Sequence, residues 1–241
     1  MMPVLTVGNT EIPYSVRFSS KAARKRIVVT PEGVVVVAPR GTPRGRLDAF
    51  VRGKRRWVFD SVREIEAKHR KLLTQRYASG AKLQYRGRWL MLDVQPGPVG
   101  QVEISCRSKF HVAVPEDLAG LKRLEAIREA FDGWLHGRAE RDLRQFGRHY
   151  EAKLGVEASA YRLSQARTRW GSCGRNGVVR VHWRLIQAPR MAMEYVVAHE
   201  LVHLVHRNHS PAFWSKLAET MPDWAEAKEL LARWEQAHQA V

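Results

Sequence analysis

His199-Glu200-Leu201-Val202-His203-Leu204-Val205-His206-Arg207-Asn208-His209 is the stretch on which the reading of this chain turns. His199 and His203 are four residues apart, so on a helix both imidazoles project from one face toward a common point. Glu200 follows the first histidine, where its carboxylate can reach a metal-bound water instead of the metal. This is the H-E-x-x-H arrangement of zinc metallopeptidases. His209, six residues beyond His203, is a candidate third ligand. Three protein ligands leave the fourth tetrahedral position open to water, as a catalytic zinc requires.

The surroundings sharpen the motif. Tyr195-Val196-Val197-Ala198 precede it, and Leu201, Val202, Leu204 and Val205 are interleaved with it. A helix so apolar is buried, and a buried helix has little reason to carry His, Glu and His unless their polar atoms are bound by something. The alternative is a helix with scattered, satisfied core histidines. Asn208 tolerates the left-handed conformation that ends helices. Ser210-Pro211 reads as the N-cap and first residue of another helix. His209 then lies at a helix-to-helix corner. The His spacing equals that of the metzincin pattern, but His206 replaces the metzincin glycine, so the chain is not assigned to that group. His206 is a candidate substrate contact or a structural helix residue.

Farther out, Thr168-Arg169-Trp170-Gly171-Ser172-Cys173, Trp183-Arg184-Leu185-Ile186, Pro189, Asn208-His209-Ser210 and Phe213-Trp214 surround the motif in order. With Tyr195 through His203 they resemble the YgjP-like metallopeptidase family, which is related to the SprT-like and WLM zinc peptidases. The resemblance runs from about residue 160 to 225 and more weakly over the whole chain. It implies one Zn²⁺ per chain held by His199, His203 and His209, with Glu200 as the catalytic residue and a protein or peptide as substrate. It names no particular substrate. For the donor that meets the developing oxyanion, Arg169, His206 and Tyr195 are candidates in that order; Arg169 stands equally well as a structural residue stacked on Trp170. Cys173 is read as a buried structural thiol, although thiolate is a good zinc ligand. The strand Val178–Leu185 is read as an edge strand beside the metal helix, available to an extended substrate. His182 on it is read as exposed or packed.

The chain has 241 residues, enough for one large domain or two small ones. The expected fold is α+β. A β-rich region with one long helix is placed at residues 1–115. A zincin-like metallopeptidase domain, with a mixed or antiparallel sheet and the H-E-x-x-H helix, is placed at 116–241. No run approaches the ~20 apolar residues of a membrane span, and Met1–Tyr14 lacks a signal-peptide pattern. Two cysteines, Cys106 and Cys173, suit a reducing compartment, so a cytoplasmic protein is expected.

The net charge is +17, and residues 1–95 carry most of it, with 20 Lys+Arg against 7 Asp+Glu. Such a surface would attract nucleic acid non-specifically, or be a solvated face with no partner. Arg52-Gly53-Lys54-Arg55-Arg56-Trp57 is its densest cluster. A second functional reading is therefore a basic nucleic-acid-associated protein whose zinc is structural or non-catalytic. A third is hydrolysis of a non-peptide amide.

The hydropathy pattern gives strands across 4–38 with a turn at Pro31-Glu32-Gly33, then a helix from Leu47 to about Tyr77. Strands follow at 82–94 and 101–114, with a tight turn at Gly87. A long helix runs from Leu118 to about Leu154, with Gly133, Gly137 and Gly147 suggesting breaks or close packing. Strand character returns at 160–187, with a turn at Gly174–Gly177. Helices are read after Pro189, at Pro211–Thr220 and at Asp223–Ala240. No internal repeat is evident.

Overall fold

Alternation of apolar and polar residues, punctuated by glycine turns, builds the first part of the chain. The computed structural model describes residues 2–166 and 168–239. In it β1 (Val4–Val7) and β2 (Thr10–Ser19) form an antiparallel hairpin. β3 (Arg26–Thr30) and β4 (Gly33–Pro39) form a second, with its turn where the Pro31-Glu32-Gly33 signal sits. β2 and β4 then pair in parallel, so the sheet order is β1-β2-β4-β3. Val34, Val36 and Ala38 of β4 are buried with Leu5, Ile12 and Tyr14. They meet Leu47 and Val51 of α1 (Arg44–Gly53). The helix read as continuous from 47 to 77 is two helices, because Lys54 leaves helical geometry before α2 (Arg55–Tyr77).

The same topology then recurs. β5 (Lys82–Tyr85) and β6 (Arg88–Gly97) form an antiparallel hairpin. β7 (Glu103–Cys106) and β8 (Phe110–Pro115) form another, and β6 pairs with β8 in parallel. The order is β5-β6-β8-β7. The correspondence extends to detail. Leu5 opposes Ile12 as Leu83 opposes Leu90, both pairs buried, and the parallel pairs end on Pro39 and Pro115. No repeat is evident in the sequence; the structure has one, of four strands followed by helix.

This repeat accounts for where the chain divides, which differs from the boundary expected at 115/116. The compact units are Met1–Gln75 and Arg76–Val241. The second strand set needs its own helix, α3 (Gly120–Leu154), and a cut at 115 would separate them. Phe110, fully buried, packs edge-on against Phe131 at 5.1 Å and Trp134 at 5.4 Å between ring centroids. Arg86 donates a forked set of hydrogen bonds to buried Asp142 of α3, at 2.6–3.1 Å. Arg86 and Gly87 occupy the left-handed region at the β5–β6 turn, and their amides donate to the carbonyls of Ile186 and Gln187. α3 is uninterrupted. Gly133 and Gly137 have open space where a Cβ would be, whereas at Gly147 a Cβ would lie 2.3 Å from the Tyr161 ring, so only Gly147 marks close packing.

Beyond α3 the second unit adds a three-stranded sheet: β9 (Ala160–Ser164), β10 (Gly171–Cys173) and β11 (Val178–His182), in the order β10-β11-β9. The pairing is antiparallel on one side of β11 and parallel on the other, so the chain is α+β with mixed sheets. A 3-10 turn (Trp183–Ile186) leads to α4 (Arg190–Val202), α5 (Pro211–Thr220) and α6 (Trp224–Gln239). Among the described residues no helix is long and apolar enough to cross a membrane. Both cysteines are free thiols.

Removing one side of the Arg86–Asp142 pair leaves a guanidinium with no buried acceptor. Asp142→Ala is expected to destabilise the protein by about 3 kcal/mol, near the low end for a buried pair because Arg86 keeps some contact with water. Chemical denaturation of both proteins checks this; a change within ~0.5 kcal/mol would mean that the ion pair does not fix the hairpin on α3.

Candidate active site

α4 is apolar nearly all round. Met193, Val196, Val197, Ala198, Leu201 and Val202 are buried in one core with Leu143 and Phe146 of α3, Val179 and Val181 of β11, and Phe213 and Leu217 of α5. His199 and Glu200 lie in its last turn, and His203 is the residue that caps it. The helix ends there and not at Asn208, as the sequence had suggested. Among the described non-glycine residues only Arg86 has a positive φ, so Asn208 takes no left-handed conformation. Tightened turns close the end instead: the amides of Leu204 and Val205 donate to Leu201 and Val202, and that of His206 also reaches Val202, at 2.9–3.0 Å. They satisfy the last carbonyls and reverse the chain. His209 then arrives just before Ser210, the N-cap of α5, with Pro211 at the first helical position; the Ser210 side chain makes no capping bond.

This reversal gathers His199, His203 and His209, with one donor nitrogen of each within 4.8 Å of the others. Nε2 of His199 and Nε2 of His209 are 2.9 Å apart. His203 Nδ1 lies 3.0 Å from the His206 carbonyl, which accepts its proton and leaves Nε2 as the free donor. Phe213, fully buried, contacts all three imidazoles at 4.7–4.9 Å between centroids. Trp214 stacks on His209 at 5.6 Å. Burial holds the pKa of His199 down to about 4, helped by His203, His209 and Lys228, and burial likewise lowers that of His203. Both rings are therefore neutral nitrogen donors at neutral pH. Two imidazole nitrogens at 2.9 Å need a proton or a cation between them, so the set fits a metal ion.

Glu200 is 6% exposed. Burial raises its pKa to about 7, against the opposing pull of the Cys173 backbone amide and Arg169. Its carboxylate lies against β10: a Cβ on Gly171 would come 2.5 Å from Oε1 and 2.8 Å from a methyl of Val196. Only glycine leaves room there for the carboxylate. The sequence carries no sign of this role for Gly171, because nothing local reveals that a carboxylate about thirty residues later occupies the space its missing side chain leaves.

Of the other residues singled out by sequence, Tyr195 is buried one turn before His199, rings 5.7 Å apart, and burial raises its pKa. Arg169 is exposed and close enough to act electrostatically on Glu200. His206 is half-buried and contributes its carbonyl to His203. Cys173 is half-buried on β10, outside the histidine cluster, with Arg207 3.9 Å from its sulfur; burial raises its pKa. The expectation that Val178–Leu185 is an edge strand fails. β11 lies between β10 and β9, and both of its edges are already paired. Among the described strands, β10 is the one that packs on α4 and keeps an open edge.

Beside β10 lies a groove of about 680 Å³ lined by His136, Thr168, Arg169, Trp170, Trp183 and Glu235, among others. His136 stacks on Trp183 at 4.1 Å, and the Trp170 indole donates to Glu235. His182 also faces this groove, its pKa lowered first by burial and then by Arg184 and His136. Its walls come from α3, the segment leading into β10, the end of β11 and α6, parts far apart in sequence, which is why the motif alone did not disclose it.

No curated protein matches the chain. The crystal structure of the metallopeptidase zymogen of Pyrococcus abyssi abylysin is similar at 22% identity, over 40% of this chain and 95% of that one, with a TM-score of 0.36. A family model, described as YgjP-like, metallopeptidase domain, matches residues 23–234. Covering nearly the whole chain, that match places this protein in the YgjP-like metallopeptidase family, enzymes that hydrolyse peptide bonds with a metal ion.

Proposed function

We propose that the metal is zinc, held by His199, His203 and His209, and that Glu200 is the general base of peptide hydrolysis. The observation that carries this reading is the convergence of three imidazole nitrogens at the end of α4, with the Glu200 carboxylate in the next position. When bound there, zinc supplies a Lewis acid and lowers the pKa of a coordinated water from about 15.7 to roughly 7. Glu200 would take a proton from the attacking water and return it to the leaving amine. Burial raises its pKa above the ordinary carboxylate range, which favours the carboxylate as a proton acceptor. The His206 carbonyl keeps His203 in the tautomer that offers Nε2. Phe213 packs the three rings into one arrangement and keeps water from their inner side.

The open edge of β10 would pair with an extended substrate backbone, with its side chains directed into the groove beside Trp170 and Trp183. Arg169, at the rim of that groove and near Glu200, is the preferred partner for negative charge developing on the substrate carbonyl. Tyr195, buried under His199, is the weaker candidate, and His206 serves through its backbone.

Wild type, Glu200→Gln and His209→Ala, purified side by side without added metal, test this reading. Wild type should carry about one zinc per chain and cleave an unfolded protein substrate. Glu200→Gln should keep the zinc and lose activity by roughly a thousandfold or more, the scale of a lost general base combined with misplaced water. His209→Ala should lose both. Full zinc occupancy in His209→Ala, or full activity in Glu200→Gln, would overturn the assignment.

Gly171→Ala is expected to retain zinc, because the atoms nearest the added methyl belong to Glu200 and Val196. It should nonetheless lose at least ~90% of kcat, since the added methyl occupies the space of the Glu200 carboxylate. Unchanged kcat would mean that the position of Glu200 against β10 does not matter.

A second reading concerns the unit Met1–Gln75. Lys25 lies over the Phe50 ring and its ammonium donates to the Arg46 carbonyl, so the basic loop before β3 is fastened to basic helix α1. Trp57, half-exposed, begins α2 beside Arg55 and Arg56. We infer that this surface holds single-stranded nucleic acid through phosphate contacts and base stacking. Arg55→Glu/Arg56→Glu should weaken oligonucleotide binding and flatten its dependence on salt. An identical salt slope in the variant would remove this reading.

A further inference from the structure

A second pocket, of about 320 Å³, is formed by the β5–β6 turn, the β7–β8 turn and the middle of α3. Five arginines line it: Arg86, Arg88, Arg107, Arg138 and Arg141. No acidic side chain is among its described lining residues. Asp142 sits behind, buried, and engages Arg86 with Arg141 3.9 Å away, so one carboxylate stands against five cations. Two aromatic rings form the floor, Tyr85 and Trp134, edge to face at 5.0 Å. The Arg86 guanidinium lies over Tyr85 at 5.3 Å and that of Arg138 over Trp134 at 4.8 Å. The remaining polar group, the Cys106 thiol, stays neutral because burial raises its pKa.

The strand architecture does not demand this charge. In the first strand set, the residue after β1 is Gly8 and the residue that opens β2 is Thr10. The corresponding positions in the second set are Arg86 and Arg88. The same turn is thus built once without cations and once with two, and α3 and the β7–β8 turn add three more. Five guanidinium groups around one small cavity repel one another, a cost that an anion between them removes. Guanidinium forks match phosphate oxygens two at a time; stacking on Trp134 fixes the Arg138 fork before any ligand arrives, while the Arg86 fork is already spent on Asp142 and contributes its charge. The volume is at the lower end of small-molecule sites, about 300–1,000 Å³, which suits a compact ligand.

We propose that this pocket is a binding site for a small polyphosphate anion, inorganic or carried by a nucleotide, separate from the peptidase centre. Calorimetric titration of the full chain at ~0.15 M salt with inorganic pyrophosphate, a nucleoside triphosphate and the phosphate-free nucleoside tests it. Saturable binding of pyrophosphate at about one site per chain is expected. A nucleoside triphosphate that binds more tightly than pyrophosphate identifies the nucleotide as the source, equal affinity identifies the phosphates alone, and the nucleoside should not bind. Arg88→Gln/Arg138→Gln should weaken pyrophosphate at least roughly tenfold. Its Tm should hold or rise, because like-charge repulsion is relieved. Arg144→Gln/Arg148→Gln, an equal charge change on an exposed part of α3, should change affinity less than about twofold. Arg107→Gln, at the exposed turn, gives a second pocket variant should the first fail to fold. Equal losses in the pocket and control variants, no saturable binding, or binding of an oligonucleotide where pyrophosphate fails would each overturn the proposal.

Discussion

Two imidazole nitrogens, His199 Nε2 and His209 Nε2, are held 2.9 Å apart in a largely apolar corner, and the surrounding structure exists to hold them there. One comes from the last turn of α4 and the other from the residue before the N-cap of α5. Bringing them together requires α4 to stop at Val202 and the chain to reverse within six residues. The tight turns closing on Leu201 and Val202 accomplish this while satisfying the helix carbonyls. Phe213, one turn into α5, then packs against all three rings. Nitrogens at this distance need a proton or a cation between them, so a metal ion bound there would also tie α4 to α5.

Glu200 raises a different problem. A carboxylate on the most apolar helix of the chain is costly, and the cost appears as a pKa near 7. Two features limit it: the Cys173 amide on β10, the strand that Gly171 opens, and the charge of Arg169, two residues before that strand. The missing side chain of Gly171 is therefore as much a part of the site as the carboxylate it admits.

The sequence disclosed the polar half of this site and little of its apolar and backbone half. His199, Glu200, His203 and His209 were legible because polar groups at fixed spacing in an apolar run demand a partner. Ser210-Pro211 was legible because proline at the first helical turn has a local cause. The role of Gly171, the packing of Phe213 and the carbonyl of His206 were not, since each depends on what another segment places beside it. The same distinction explains the errors of topology. The β-branched run at Val178–Val181 identified a strand but not its neighbours, and β11 proved central. The repeat of four strands and helix escaped notice because it is conserved in alternation and turn position while residues such as Gly8 and Arg86 differ entirely. Asn208 has the right chemistry for a left-handed cap, but the carbonyls of α4 were already satisfied six residues earlier.

α3 joins these parts. At ~1.5 Å per residue its 35 residues make a rod of roughly 50 Å. Ile127 and Phe131 are buried in its first half, where Phe131 and the neighbouring Trp134 meet the second strand set through Phe110. Leu135, Leu143, Phe146 and Tyr150, farther along, belong to the core that surrounds α4. Asp142 and Gly147 lie in this second half. Asp142 binds the β5–β6 turn, whose amides hold Ile186 and Gln187 just ahead of α4, and Gly147 admits Tyr161 of β9. A break at Gly133 or Gly137, which the sequence would have permitted, would uncouple the strand set from the helix that carries the histidines. An unbroken α3 instead fixes the start of α4 relative to β9 and β11, and so the placement of β10 against Glu200 is set by contacts made at the far end of the unit.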